Sequence, residues 1–324
     1  MRVMVLGGTG FVGRHAVAAL LGRGHRVIIG TRCPRRAARR LPPAALGCER
    51  REIHLEFLTT RYFWKPLLAG VDVVVNAAGI LREHGSQTCD RVNNMAPAAL
   101  ALACERAGLR LIHVSALGLR ARAHSRFIRS KADAERAIAD TGADYSIVRP
   151  SLLDGEGGYA ADWLRKLARW PVQCVPAAAR GRLAALDVRD LAEAIAILCE
   201  ARGRTEWREV ELGGSVRRTL AAYLAALDAR PNAHPALHVP VPNFMAFIAA
   251  GLCDLLHLTP YGMAALELLW RDNLPRDNQL MALLGRAPLP VGSDQPSRRP
   301  ATRPAYAFTA MPAGHETPVP PSPQ

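Results

Sequence analysis

The sequence predicts an α/β protein built on a doubly wound parallel sheet, with a small C-terminal lobe on the substrate side. Three observations lead there. From residue 2 to about 150, short apolar runs alternate with amphipathic stretches, as in a parallel sheet wrapped by helices. The run "VDVVVNAAG" (71–79) is apolar on both faces, which suits a strand covered on both sides. A GxxGxxG spacing, Gly7, Gly10 and Gly13, sits between the first apolar run and the first amphipathic one.

In order, strands are expected at 2–6, 26–30, 52–57, 71–76, 110–115 and 144–148. Helices or helix-bearing connections are expected at 11–23, 34–41, 61–69, 88–107 and 127–141. After "VRP" (148–150) comes a glycine-rich loop, "SLLDGEGGYAADW" (151–163), and then a helix. A strand at 182–186 leads into "DVRDLAEAIAILCE" (187–200), where Asp190 is the expected cap. A strand at 208–212 and helices near 217–229, 242–257 and 260–272 complete the lobe. The expected organisation is a dinucleotide-binding core over 1–150, a lobe over 151–286 interleaved with it, and a Pro-, Ser- and Arg-rich disordered tail over 287–324.

Apolar residues make up 49% and charged residues 22% of 324, ordinary for a globular chain. The formal charge of +14 raises nucleic acid or an anionic membrane as partner. Yet of the 42 basic residues only Lys65, Lys131 and Lys166 are lysines, and the arginines are scattered, which reads as compositional bias rather than a specific nucleic-acid surface. Seven cysteines, odd in number and without a CxxC pair, point to reduced thiols in a cytosolic setting and away from a disulfide framework. "MRVMVLGG" runs directly into a strand, leaving no room for a signal peptide. No transmembrane span is expected: the greasiest stretch, 244–258, is short and carries Asp254, and a core helix is favoured there over a membrane-surface one. No metal site is expected either, since "HPALH" (234–238) is broken by Pro235.

In "VMVLGGTGFVGRHAVAAL" (3–20) a strand, a glycine turn and a helix follow one another, the Rossmann-type arrangement. Gly7, Thr9, Gly10, Phe11, Val12 and Gly13 are the residues that would approach a pyrophosphate, whose charge meets the free N–H groups of the helix start. The second strand ends in Arg32 rather than an acidic residue. A carboxylate there would hold ribose hydroxyls, whereas Arg32 with Arg35 or Arg36 suits a 2′-phosphate, favouring NADP(H) while leaving NAD(H) open. Asn76, Ala77, Ala78 and Gly79 end the fourth strand, where a loop of small residues would pass beneath the cofactor.

"GGTGFVGRH", "NAAGILRE", "LIHVSALG", "SRFIRSKADAE" and "YSIVRPSLLDGEGG" resemble the atypical, extended short-chain dehydrogenase/reductases. The likeness is to the branch containing the nucleotide-binding accessory subunit of respiratory complex I and its bacterial relatives, and runs through most of residues 1–275. The family resemblance implies a Ser, Tyr and Lys site: a tyrosine exchanging a proton with substrate, a serine orienting the substrate oxygen, and a lysine holding the nicotinamide ribose. Ser115 and Lys131 match, but Phe127 stands at the tyrosine position and has no proton to give. The resemblance also implies an accessory or assembly role in respiratory-chain or quinone metabolism, with a membrane-associated protein partner and a cytoplasmic place at the inner membrane face. The rival expectation is an active NADPH-dependent reductase or epimerase with a substitute acid. Tyr159 is the nearby candidate for that acid, against its reading as a loop aromatic packed on Trp163.

Overall fold

The computed structural model describes residues 1–228, 236–256 and 259–292. Strands β1 (Arg2–Leu6), β2 (Arg26–Thr31), β3 (Glu49–Glu52), β4 (Val73–Asn76), β5 (Arg110–Val114) and β6 (Asp144–Pro150) form a parallel sheet. A later strand at Glu209–Leu212 joins beside β6, giving seven strands in the order Glu209–Leu212, β6, β5, β4, β1, β2, β3. Chain direction across the sheet reverses between β1 and β4, and in such sheets the crevice at that reversal takes the ligand.

Helices cover both faces, so every central strand is buried on both sides. Val3, Val5, Ile29, Val75 and Ile112 face α1 (Phe11–Gly22) and a helix at Val188–Glu200. The alternate residues Met4, Leu6, Ile28, Val74 and Leu111 face Trp64, Leu100 and Cys104 on the other side. The short helices α2 (Pro34–Ala37) and α3 (Arg61–Trp64) precede α4 (Ala96–Ala107) and α5 (Arg126–Ala139).

Several sequence expectations shift here. The third strand lies at Glu49–Glu52, not 52–57. As an edge strand it needs only backbone pairing and carries charge, while Leu55 and Glu56 bury in a 3-10 turn. The expected helix over 88–107 is two structures: a π turn over Arg91–Met95 runs into α4. The expected helices at 34–41 and 61–69 shorten to α2, continued by a 3-10 turn to Arg40, and α3.

The lobe holds β7 (Leu153–Asp154), α6 (Tyr159–Ala168), β8 (Val172–Pro176), β9 (Arg182–Leu183) and β10 (Leu186–Asp187), followed by α7 (Val188–Glu200) and the seventh sheet strand, β11 (Glu209–Leu212). Then come β12 (Arg218–Thr219), α8 (Leu220–Leu227), β13 (Leu237–Val241), α9 (Asn243–Leu256), α10 (Met263–Leu269) and α11 (Leu280–Leu284). The expected strand at 182–186 is two two-residue pieces: β9 pairs with β12 and β10 with β7. The cap of α7 is Asp187, whose Oδ1 accepts from the Arg189 N–H at 2.8 Å. Asp190, the expected cap, lies inside the first turn, fully buried, and accepts from Arg286 and from the Leu289 N–H.

That contact ties residues 286–291 to the core, with Val291 buried against α8; the rest of the expected tail, 293–324, lies outside the described residues. α9 also departs from expectation, since only Ala246 and Ala250 of it are buried and its large side chains face outward. His234 and Pro235 of "HPALH" lie outside the described residues, and His238 is on β13, bonded to Gln173. Among the described residues no His, Cys, Asp and Glu cluster could hold a metal, and no helix is long and apolar enough to cross a membrane.

Candidate functional site

The β1–α1 turn is drawn tight by backbone bonds: the Gly7 and Gly8 N–H groups donate to the Gly30 carbonyl at 3.1 and 3.3 Å, and the Gly10 N–H donates to the Gly7 carbonyl at 2.8 Å. Gly7 has φ +69°, and a Cβ there would stand 2.9 Å from the Ala78 Cα. A Cβ on Gly13 would stand 2.1 Å from the Gly7 carbonyl oxygen, so helix and turn approach closely only because that position has no side chain. α1 starts with Gly10 as N-cap, without a side-chain cap bond or an acidic residue in the first turn. Its leading N–H groups are therefore left for an anion, at the positive end of the helix dipole.

Around this turn, Thr9 Oγ1 lies 3.4 Å from Thr31 Oγ1 at the end of β2. The Phe11 ring packs under the Gly155–Gly158 loop of the lobe, and Arg14 donates to the Glu156 carbonyl at 2.8 Å. Val12 is partly buried against the core. Arg32 extends from the end of β2 and donates to Gln87 Oε1 at 2.6 Å, while Arg35 and Arg36 are exposed on α2. Three guanidinium groups thus stand beyond the second strand.

Asn76 ends β4 and is buried; its Oδ1 accepts from the Ala78 N–H, which shapes the Ala77–Gly79 loop beside Gly7. Its Nδ2 then donates to His113 Nδ1 at 3.2 Å, which puts the histidine proton on Nε2, an atom with no partner among the described residues. Burial, with the Lys131 charge nearby, holds His113 well below its ordinary pKa, so the ring is neutral. Asn93, on the π turn, clamps the next residue of the loop: the Ile80 N–H donates to Asn93 Oδ1 at 2.9 Å and Asn93 Nδ2 donates to the Ile80 carbonyl at 2.8 Å.

Lys131 enters from α5, whose N-cap Ser125 accepts from the Ile128 N–H. Its Nζ donates to the Val114 carbonyl at 3.0 Å, at the end of β5. A Cβ on Gly79 would lie 3.8 Å from that Nζ and 3.3 Å from Asn93 Oδ1, so loop, asparagine and lysine meet at one point. Burial lowers the Lys131 pKa to about 8, opposed in part by Glu135. Ser115 follows Val114 directly; its hydroxyl is buried and, among the described residues, without a hydrogen-bond partner. A buried hydroxyl left unpaired is costly unless something docks on it.

Phe127 lies one turn before Lys131, partly buried against the apolar cluster of Ala123, Ile128 and Ala264, to which Leu119 and Leu268 also pack. Tyr159 is not in a loop: it is the first residue of α6 and 59% exposed. Asn93 and His113 were missed in the sequence; the signal available was two asparagines in "RVNNM" inside an otherwise apolar helix, and a histidine inside an apolar strand.

A doubly wound parallel sheet, with a glycine turn and a bare helix start at its reversal point, defines a dinucleotide-binding protein of the Rossmann class. Residues 7–166 match the NAD(P)H-binding family. The chain is 32% identical over 202 residues to the ceramide reductase of Caulobacter vibrioides, covering 61% of this chain and 60% of that protein. It is 28% identical over 254 residues to the mitochondrial NADH dehydrogenase [ubiquinone] 1 alpha subcomplex subunit 9 of Dictyostelium discoideum, covering 77% and 70%. The chain thus spans about three fifths of the length of that reductase, and its likeness is to atypical short-chain dehydrogenase/reductases. Among solved structures, Pal from Bacillus thuringiensis aligns with a TM-score of 0.64 at 15% identity, covering 91% of this chain and 96% of that one. UDP-glucuronic acid 4-epimerase from Bacillus cereus, in complex with UDP-glucuronic acid and NAD, aligns at 0.62 and 14% identity, covering 91% and 96%. At such identities these two speak for the fold alone.

Proposed function

We propose that this chain binds NADP(H) and that tyrosine-based turnover is absent from it. The nucleotide then has a structural or redox-reporting part, and the protein serves as an accessory or assembly factor in respiratory-chain or quinone metabolism, peripheral at the inner membrane face. The observation carrying this reading is Phe127: an aromatic ring without a hydroxyl, packed into an apolar wall one helical turn before a buried lysine. The glycine turn and the start of α1 would take the pyrophosphate, Arg32 with Arg35 or Arg36 the 2′-phosphate, the Asn76–Gly79 loop the underside of the nucleotide, and Lys131 the nicotinamide ribose.

A second reading, an NADPH-dependent reductase or epimerase, is favoured by Ser115. Its unpartnered buried hydroxyl suits a substrate oxygen, and the likeness to a ceramide reductase agrees with it. Bound NADPH would supply hydride to a carbonyl carbon; the chain must deliver a proton to the oxygen. Lys131, with its lowered pKa, is better placed for that than exposed Tyr159.

Titration with NADPH and NADH, followed by thermal unfolding, tests both readings. Stabilisation by NADPH above that by NADH is expected, growing with ligand concentration. No response to either nucleotide overturns both.

A further inference from the structure

The polarity of α9 is reversed for a helix packed on a protein. Its single charged residue, Asp254, points inward, accepting from Arg82 Nε at 2.9 Å and from the Met263 N–H at 2.8 Å. Its buried residues are the small Ala246 and Ala250. Phe244, Ile248, Leu252 and Leu255 recur at intervals of four, four and three along the opposite face, and Ile248 and Leu255 are 67% and 74% exposed. At the N-terminal half of this stripe Phe244, Phe247 and Ile248, with Ala178 and Trp270, line an open apolar groove of about 570 Å³. The β8/β13 ribbon leading into the helix adds exposed Val172 opposite Leu237, two residues after Trp170, itself 62% exposed.

Arginines border this face, and the exposed carboxylate beside it, Asp272, is paired with Arg182. Arg169 precedes Trp170, Arg180 follows the groove residue Ala178 by two places, and Arg271 follows Trp270; all three arginines are exposed. The exposed face of α9 offers no carboxylate, and the chain carries +14 overall. A 14-residue helix is about 21 Å long, too short to span the hydrocarbon core of a bilayer but suited to lying in its surface.

We propose that α9 rests in the headgroup region of an anionic lipid bilayer, with the Phe244–Leu255 stripe immersed and the flanking arginines on lipid phosphates. This deepens the peripheral placement proposed above and rests on it, but not on any catalytic reading. Large apolar side chains on the outer face supply the burial, arginines supply attraction to anionic headgroups, and Trp170 is a residue type favoured at headgroup depth.

The test is flotation of the full chain with phosphatidylcholine vesicles, with and without phosphatidylglycerol, at low and high salt. The wild type is expected to float with the anionic vesicles and to be released in part by salt. Phe244→Glu with Ile248→Glu should weaken that binding about tenfold or more while leaving the NADPH thermal shift intact. Should that pair fail to fold, Leu252→Gln with Leu255→Gln asks the same question at the other end of the stripe. Three results overturn the proposal: no flotation with anionic vesicles, flotation unchanged by either pair, or a wild-type dimer that the same substitutions convert to monomer. Loss of vesicle binding with an intact NADPH shift leaves the nucleotide reading standing, and the reverse separates the two failures in the other direction.

Discussion

The ammonium nitrogen of Lys131 stands 5.9 Å from the centre of the Phe127 ring, at a cation–π distance, so the ring that lacks a hydroxyl still faces the charge that would govern one. Phe127→Tyr restores a donor whose ionisation that charge would favour. General acid catalysis is worth roughly 10²–10⁴-fold. Carbonyl reduction, followed as NADPH oxidation over a panel of aldehydes and ketones, is expected from the variant and not from the wild type. Equal turnover by both proteins would move the conclusion to the reductase reading.

Lys131 gives the site a pH dependence of defined sign. Its folded pKa of about 8 lies below the ordinary lysine value of 10.5, so between these pH values the unfolded chain holds more protons and stability rises with pH. Below pH 8 the buried charge costs about 3 kcal/mol, a cost removed by pH 10.5. Measured against Lys131→Met, wild-type stability should gain steadily over this window. A constant difference between the two would show that the ammonium is not desolvated. NADPH affinity is expected to fall over the same range as the ribose loses its charged donor.

Gly13→Ala should abolish nucleotide binding and cost about 1–3 kcal/mol, because its methyl group would stand 2.1 Å from the Gly7 carbonyl oxygen. Gly22→Ala at the far end of the same helix meets nothing within 4 Å and is the matched control, expected to be neutral or slightly stabilising. Urea unfolding of the two variants compares them directly.

Arg32→Asp should reverse the nucleotide preference. Hydrogen bonds to charged groups contribute about 1.5–3 kcal/mol, so NADPH affinity is expected to drop roughly ten- to hundredfold while NADH affinity holds or improves. Calorimetric titration with both nucleotides reads this. An unchanged ratio would remove Arg32 from the 2′-phosphate site and leave Arg35 and Arg36.

Asn93→Ala leaves the N–H and the carbonyl of Ile80 without their partner, about 1–3 kcal/mol. The expected signature is twofold: a lower urea midpoint, and nucleotide binding weakened further than that stability loss explains, since the freed loop carries Gly79.

Much of the core was legible because its signals are local. β1, β2 and α1 fall where apolar runs and glycines put them, and β4 is buried on all its residues as "VDVVVN" implies. Errors arose where a distant contact decides the outcome. Asp190 looks like a cap until Arg286 and Leu289, almost a hundred residues on, claim its oxygens. α9 looks like a core helix because composition records how greasy a segment is and not which way it faces. β3 is an edge strand held by backbone pairing, so its side chains "ERRE" carry no alternation to find. Within the candidate site, the glycines, Arg32, Ser115 and Lys131 were visible as motif positions. Asn93 and His113 were not, since their importance lies in partners at Ile80 and Asn76 that no spacing rule connects.

The π turn at Arg91–Met95 has a consequence for how this chain tolerates change in length. Such a turn is an α-helix that has taken in one extra residue, and each residue advances a helix by about 100°. Removing one position between Arg91 and Met95 would let the helix close into regular geometry and swing Asn93 away from the β4 loop, although the composition would barely change. The segment should therefore accept substitution at exposed Arg91 or Met95 far better than a one-residue deletion. The Ala77–Gly79 loop is held by the count of residues preceding α4 as much as by their identity.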